Sequence, residues 1–186
     1  MTSPSTTSQD TRTQLLDAFA AALASTGYPG ISLTDVAREA GIKKPSLYHH
    51  FPGGKATLYE AVAARFTDDL GARLAAATDP GLSLEERLDA VAQVSASHAE
   101  ATVSFEQRIH DALDHVPDEV RDRVSRAYVD AILTPVERLF AEAVDSGFLT
   151  GDPALLTHAF LNLTRASGDA APALVRLVLD GARPRT

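Results

Sequence analysis

The chain has 186 residues, 45% of them apolar, with a net charge of −8 and no cysteine. That length and apolar content suffice for one large domain or two small ones with a buried core, and the lack of cysteine excludes disulfides and thiolate metal sites, as suits a reducing cytoplasm. No apolar run approaches the roughly 20 residues of a membrane-spanning helix, and the opening MTSPSTTSQD has neither the basic nor the apolar region of a signal peptide, so residues 1–9 are expected to form a disordered arm.

Taken in order, almost every segment repeats its apolar residues at helical period. RTQLLDAFAAALASTG places Leu15, Leu16, Phe19, Ala22 and Leu23 on one stripe. Gly27 closes it, and Tyr28 can fold back as the apolar partner of that cap. In SLTDVAREAG, Ser32 and Asp35 are spaced like a capping box with Asp in place of Glu. Val36, Ala37 and Ala40 make its inner face, and Gly41 stops the helix. KPSLYHHF then makes a short helix with Pro45 in its first turn, where a missing N–H costs little.

PGG breaks the chain before a longer helix, Lys55 to about Ala77. After TDPGLS, a second boundary signal, Ser83 and Glu86 cap a helix to about Ser97. Another runs from about Thr102 to Leu113. A long one starts at Pro117 and ends at Gly147, with a kink expected near Ala131 because Pro135 removes a backbone hydrogen bond. Gly151–Pro153 cap a helix to about Ser167, and Ala170 to about Gly181 forms the last. With no alternating strand pattern, the fold class is all-α, about nine helices.

The charge is unevenly spread. Residues 1–58 carry Arg12, Arg38, Lys43, Lys44 and Lys55 against four acids, a net +1, so the remainder carries −9. All three lysines of the chain lie here, and no Asp or Glu occurs between Ala40 and Tyr59. Electrostatics act over about a Debye length, so a local positive patch on an acidic body can still meet phosphate. Ser32 to His50 has the helix, glycine turn, short helix order of a helix-turn-helix. Its second helix should expose Lys44, Pro45, Ser46, Tyr48 and His49 and turn Leu47, His50 and Phe51 inward. Lys44 suits guanine O6 or N7, Ser46 a base edge or phosphate, Pro45 a thymine methyl, and Tyr48 and His49 phosphate oxygens. Lys55 opens the next helix, where the dipole also favours a phosphate. The second helix so built is a groove-reading edge flanked by backbone clamps.

ISLTDVAREAGIKKPSLYHHFPGGKATLYEAV closely resembles the DNA-binding domain of the tetracycline-repressor (TetR) family. The shared pattern is Val36-Ala37, Gly41, Leu47-Tyr48, the His49-His50 pair, Phe51 and Lys55, and the resemblance spans about Thr11 to Phe66. LYHHFPGGK looks most like a subgroup around certain bacterial multidrug-resistance repressors. Lys43 stands where many members have a capping Ser or Thr, and Gly53-Gly54 lengthens the loop by one residue. The resemblance implies a helix-turn-helix DNA-binding domain over residues 10–55, with Ser32, Thr34 and Lys43 completing the DNA-contacting set. It implies a regulatory helical domain over 56–186 for ligand binding and dimerisation. The partners it implies are a double-stranded DNA operator read by a homodimer and a small-molecule effector, with no membrane.

The expected dimer face, also supported by the apolar chain end, is Leu155, Leu156, Ala159, Phe160, Leu163, Leu174, Leu177 and Val178. The expected effector pocket draws on His98, Thr102, Phe105, Ile109, Tyr128, Ile132, Phe140, His158, Asn162 and Arg165. No cofactor, metal or catalytic residue is expected. There is no His-Glu-x-x-His pattern, and His49 and His50 point about 100° apart on a helix and cannot chelate together. A protein-binding adaptor on the same fold is the alternative function.

Overall fold

A computed structural model describes residues 4–97, 99–167 and 170–184. Among them it contains helices and turns and no strand. The helices are α1 (Pro4–Gly30), α2 (Leu33–Glu39), α3 (Lys44–His50), α4 (Lys55–Ala77), α5 (Leu84–Ser97), α6 (Ala99–Ala112), α7 (Asp118–Tyr128), α8 (Thr134–Asp145), α9 (Pro153–Ser167) and α10 (Ala171–Ala182). α1 begins at Pro4, inside the segment expected as an arm, and is broken at Gly27 (φ 68°, ψ 164°), where the sequence placed its end.

Packing divides the chain into two compact units, one of residues up to Phe66 with Ser104–Ser125, the other of Thr67–Val103 with the residues from Arg126 onward. The expected boundary at residue 55 therefore differs from the observed grouping. α4 contributes to both units, and most of α6 with most of α7 joins the helix-turn-helix.

The first unit is built on apolar stripes. Leu15, Phe19 and Leu23 of α1, Val36 and Ala37 of α2, Leu47 of α3 and Leu58, Tyr59 and Val62 of α4 are buried together with Ile109, Ala112, Val116, Val120 and Val124. Burying one such side chain contributes about 1.5–3 kcal/mol. Tyr59 is fully buried, and its hydroxyl donates to the Ile109 carbonyl at 2.8 Å. Burial, with the neighbouring Tyr28 phenol adding to it, pushes the Tyr59 phenol well above its ordinary range, so it stays a donor. Glu60 binds Arg123 through two hydrogen bonds, the Nη2–Oε2 one at 2.9 Å.

The second unit contains the long kinked helix. The break expected near Ala131 is a π-helical turn, Val129–Leu133, in which the Thr134 N–H donates to the Val129 carbonyl. Pro135 sits in the first turn of α8. Without an N–H it cannot bond the Ala131 carbonyl, and the wider turn absorbs the mismatch. Arg87 of α5, largely buried, forks onto Glu142 of α8 at 2.6 and 2.7 Å. The end of α10 is tied back by the Thr150 N–H and hydroxyl, both donating to the Ala182 carbonyl.

Tyr59→Phe removes one buried hydrogen bond while keeping the ring. It should cost about 1 kcal/mol of stability, read as a lower urea midpoint at unchanged slope.

Candidate nucleic-acid interface

α2 starts at Ser32, whose hydroxyl oxygen accepts from the Asp35 N–H at 3.4 Å. The other half of the expected capping box is absent, because the Asp35 carboxylate pairs with Arg38 at 2.7 Å. α2 ends in a Schellman turn, with the Ile42 N–H on the Ala37 carbonyl at 2.9 Å and the Gly41 N–H on that of Arg38 at 3.0 Å. Gly41 has φ 69°, a conformation that costs glycine nothing and a β-carbon about 1 kcal/mol or more.

That turn launches α3, seven residues long. Lys43 is its N-cap and makes no side-chain cap bond, as its replacement of Ser or Thr implies. Leu47 is 0% exposed and Phe51 is buried. Lys43, Lys44, Pro45, Tyr48 and His49 are exposed, and Ser46 and His50 half-buried. Ser32 and Thr34 of the preceding helix are exposed as well. Leu47 and Phe51 thus face inward and Lys44, Pro45, Tyr48 and His49 outward as expected, while Ser46, expected outward, and His50, expected inward, are both half-buried.

The flanks are held by the loop after α3. The Gly54 N–H donates to the Phe51 carbonyl at 2.8 Å, and Gly54 has φ 64°. A β-carbon there would lie 3.2 Å from Tyr48 Cε1, so the glycine also makes room for the Tyr48 ring. The His49 and His50 rings meet edge to face, centroids 5.6 Å apart.

Lys55 is half-buried at the start of α4. Its ammonium donates to the Pro29 carbonyl at 3.3 Å and lies 4.6 Å from the centroid of the Tyr28 ring. Burial draws its pKa below the ordinary lysine value. Arg12, exposed on α1, lies over the Phe51 ring at 5.2 Å and so adds a cation beside the C-terminal end of α3. Nothing local in the sequence around Arg12 signals this; the tertiary fold brings it there.

The electrostatics follow from pairing. In this unit Arg38, Arg65, Arg121 and Arg123 each hold a carboxylate. Lys43, Lys44 and Lys55 hold none among the described residues. Lys43, Lys44 and, beside Phe51, Arg12 thus put unneutralised positive charge at both ends of α3.

The expected pocket residues fall in both units. Phe105, half-buried, meets Phe66 edge to face at 5.8 Å, and Ile109 belongs to the core, both in the first unit. In the second unit Ile132 and Phe140 are interior, Tyr128 is half-buried, and His158 and Asn162 are exposed, the His158 ring within 2.8 Å of the Ala154 carbonyl. His98 lies outside the described residues, as do the side chains of Thr102 and Arg165. Among the expected dimer residues, Leu155 and Leu177 are 69% and 65% exposed, Leu163 and Ala159 exposed, and Leu156 and Val178 half-buried. Phe160 differs from expectation. It is buried against Phe140, centroids 5.4 Å apart, and so does not belong to the exposed face. The Leu174 side chain is outside the described residues.

Residues 15–62 match the family model described as bacterial regulatory proteins, tetR family. The chain is 29% identical over 143 residues to the HTH-type transcriptional repressor KstR2 of Rhodococcus jostii, covering 75% of this chain and 66% of that protein. It is 32% identical over 80 residues to the HTH-type transcriptional regulator LmrA of Bacillus subtilis, covering 41% and 43%. The matches thus span less than two thirds of either relative. In fold it is similar to the TetR family transcriptional regulator PfmR from Thermus thermophilus, with a TM-score of 0.76 and 22% identity, covering 92% of this chain and 99% of that one.

Gly54→Ala should cost about 1–2 kcal/mol through its backbone conformation and displace the Tyr48 ring. A lower melting temperature together with altered Tyr48 ring resonances in NMR spectra would bear this out; an unmoved ring would contradict the contact.

Proposed function

We propose that this chain, which carries the DNA-binding domain of the tetR family, is a cytoplasmic, ligand-responsive bacterial repressor that binds a palindromic operator as a homodimer and is released by a small-molecule effector. The observation that carries the reading is the exposed face of α3, ringed by three lysines without carboxylate partners in a chain whose net charge is −8. In a duplex groove, Lys44 donates to a guanine edge and Pro45 meets a thymine methyl. Tyr48, His49, Lys43 and Lys55 bind phosphates, with Ser32 and Thr34 on the adjoining backbone. Because phosphate contacts release counterions, affinity falls steeply with salt.

Exposed apolar residues on α9 and α10 support the dimeric reading. Leu155, Ala159 and Leu163 recur on α9, Leu177 is bare on α10, and a water-exposed apolar stripe of this kind is stabilised by a copy of itself. Two reading heads then meet two half-sites about one helical turn apart. The name of the Rhodococcus relative, a transcriptional repressor, supports repression as the mode. The apolar interior of the second unit, with Ile132 and Phe140 beside a π-helical turn, supports an effector site there, since such turns recur at functional positions.

Binding to duplexes drawn from the DNA flanking its own gene should show one palindromic site and a steep loss of affinity between low and moderate salt. Salt-insensitive or absent binding would favour the adaptor. Lys44→Ala should relax preference at one base pair by about 1–3 kcal/mol, whereas Tyr48→Ala should weaken all sequences alike. Leu177→Glu places a charge in the paired face and should raise the dimer dissociation constant at least about tenfold in sedimentation; an unchanged dimer would remove α10 from the interface.

A further inference from the structure

The surroundings of Tyr28 are built around Lys55. The backbone break at Gly27 turns the chain out of the α1 helix and delivers Tyr28 into the core, 8% exposed. The Lys55 ammonium lies 4.6 Å from its ring centroid, and the next residue, Pro29, turns its carbonyl to the same ammonium at 3.3 Å. The Tyr28 ring is itself braced edge-on by Tyr59, centroids 5.4 Å apart and planes at 75°. Tyr59 in turn is fixed by its 2.8 Å hydrogen bond to the Ile109 carbonyl.

We propose that Tyr28 is the positioning residue for Lys55, holding its ammonium against a ring face and a carbonyl so that one N–H is left pointing outward for a DNA phosphate. The inference rests on the DNA-binding reading. Neither the ring nor the carbonyl carries a full negative charge, so the ammonium is ordered without being neutralised. A carboxylate in the same place would order it equally well and cancel the charge that phosphate needs. A lysine on a free four-carbon stem loses rotamer freedom when it docks. Here the fold has removed that freedom beforehand, which is the general advantage of preorganisation. A cation over an aromatic face is the contact that does this without a counter-ion. The brace through Tyr59 reaches α6, so the aim of Lys55 depends on a helix more than 40 residues further along the chain, as Tyr59 and Ile109 are separated by 50.

The test is fluorescence-anisotropy binding of the full-length protein to a labelled mixed-sequence duplex across a salt series, with a thermal melt of each variant. Tyr28→Leu should weaken binding about three- to tenfold and lower the salt slope by about one phosphate contact per subunit. Tyr28→Phe keeps the ring and should bind like the unaltered protein. In a Lys55→Ala background, Tyr28→Leu should add no further loss. Unchanged binding by Tyr28→Leu, or an equal loss in the Lys55→Ala background, overturns the proposal. If Tyr28→Leu does not fold, the unaltered protein decides. The Lys55 ε-methylene protons should be shifted upfield by the ring and stay so when duplex is added; their return to ordinary lysine positions overturns it. Failure of the unaltered protein to bind any duplex would overturn the DNA-binding reading itself, and is distinguished by needing no variant.

Discussion

A helix of seven residues cannot hold itself together in water, because nucleation costs more than so few hydrogen bonds return. Everything proposed for α3 therefore depends on Leu47, fully buried, and Phe51 at its end, which pin the helix to a core made by α1, α2 and α4. Ile109, Ala112, Val116, Val120 and Val124 close the same core from α6, α7 and the segment between them. With its inner face so anchored, α3 leaves Lys44, Pro45, Tyr48 and His49 exposed, and those are residues that suit a groove. The reading head is thus a product of packing first and of chemistry second.

Charge in this molecule is organised by pairing more than by count. Four arginines of the first unit, Arg38, Arg65, Arg121 and Arg123, are held by Asp35, Asp17, Asp118 and Glu60, which suits a guanidinium that forks onto carboxylates. Glu60, held low by its hydrogen bonds from Arg123, stays ionised as that partner requires. The lysines are left for something outside the chain. Lys55 is the instructive case, since it is ordered by a carbonyl and a ring where an acid would have silenced it.

The second unit solves different problems by similar means. Pro135 makes an ordinary helix impossible at Ala131, and the chain answers with a π-helical turn instead of a loop. Arg87 is buried but bidentate on Glu142, so a costly group is held with its partner. Phe160 and Leu155 lie on one helix yet face opposite fates, the first packed edge to face on Phe140 inside, the second 69% exposed. That split gives α9 an inner face packed in its own unit and an outer face that carries exposed leucines.

By itself the sequence determined the all-α class, the helix order, the stops at Gly27, Gly41 and Gly147, the kink at Ala131 and, on α3, the burial of Leu47 and the exposure of Lys44, Pro45, Tyr48 and His49. All of these depend on periodicity, glycine and proline, which act within a turn or two of chain. The start of α1 at Pro4, the recruitment of residues 104–125 into the first unit and the burial of Phe160 were decided by tertiary structure. So were the approach of Arg12 to Phe51 and the seating of Lys55 on Tyr28. The reason is physical: an amphipathic pattern says which side of a helix is apolar, but which neighbour covers it is set by contacts between residues far apart in the chain, as with Tyr59 and Ile109.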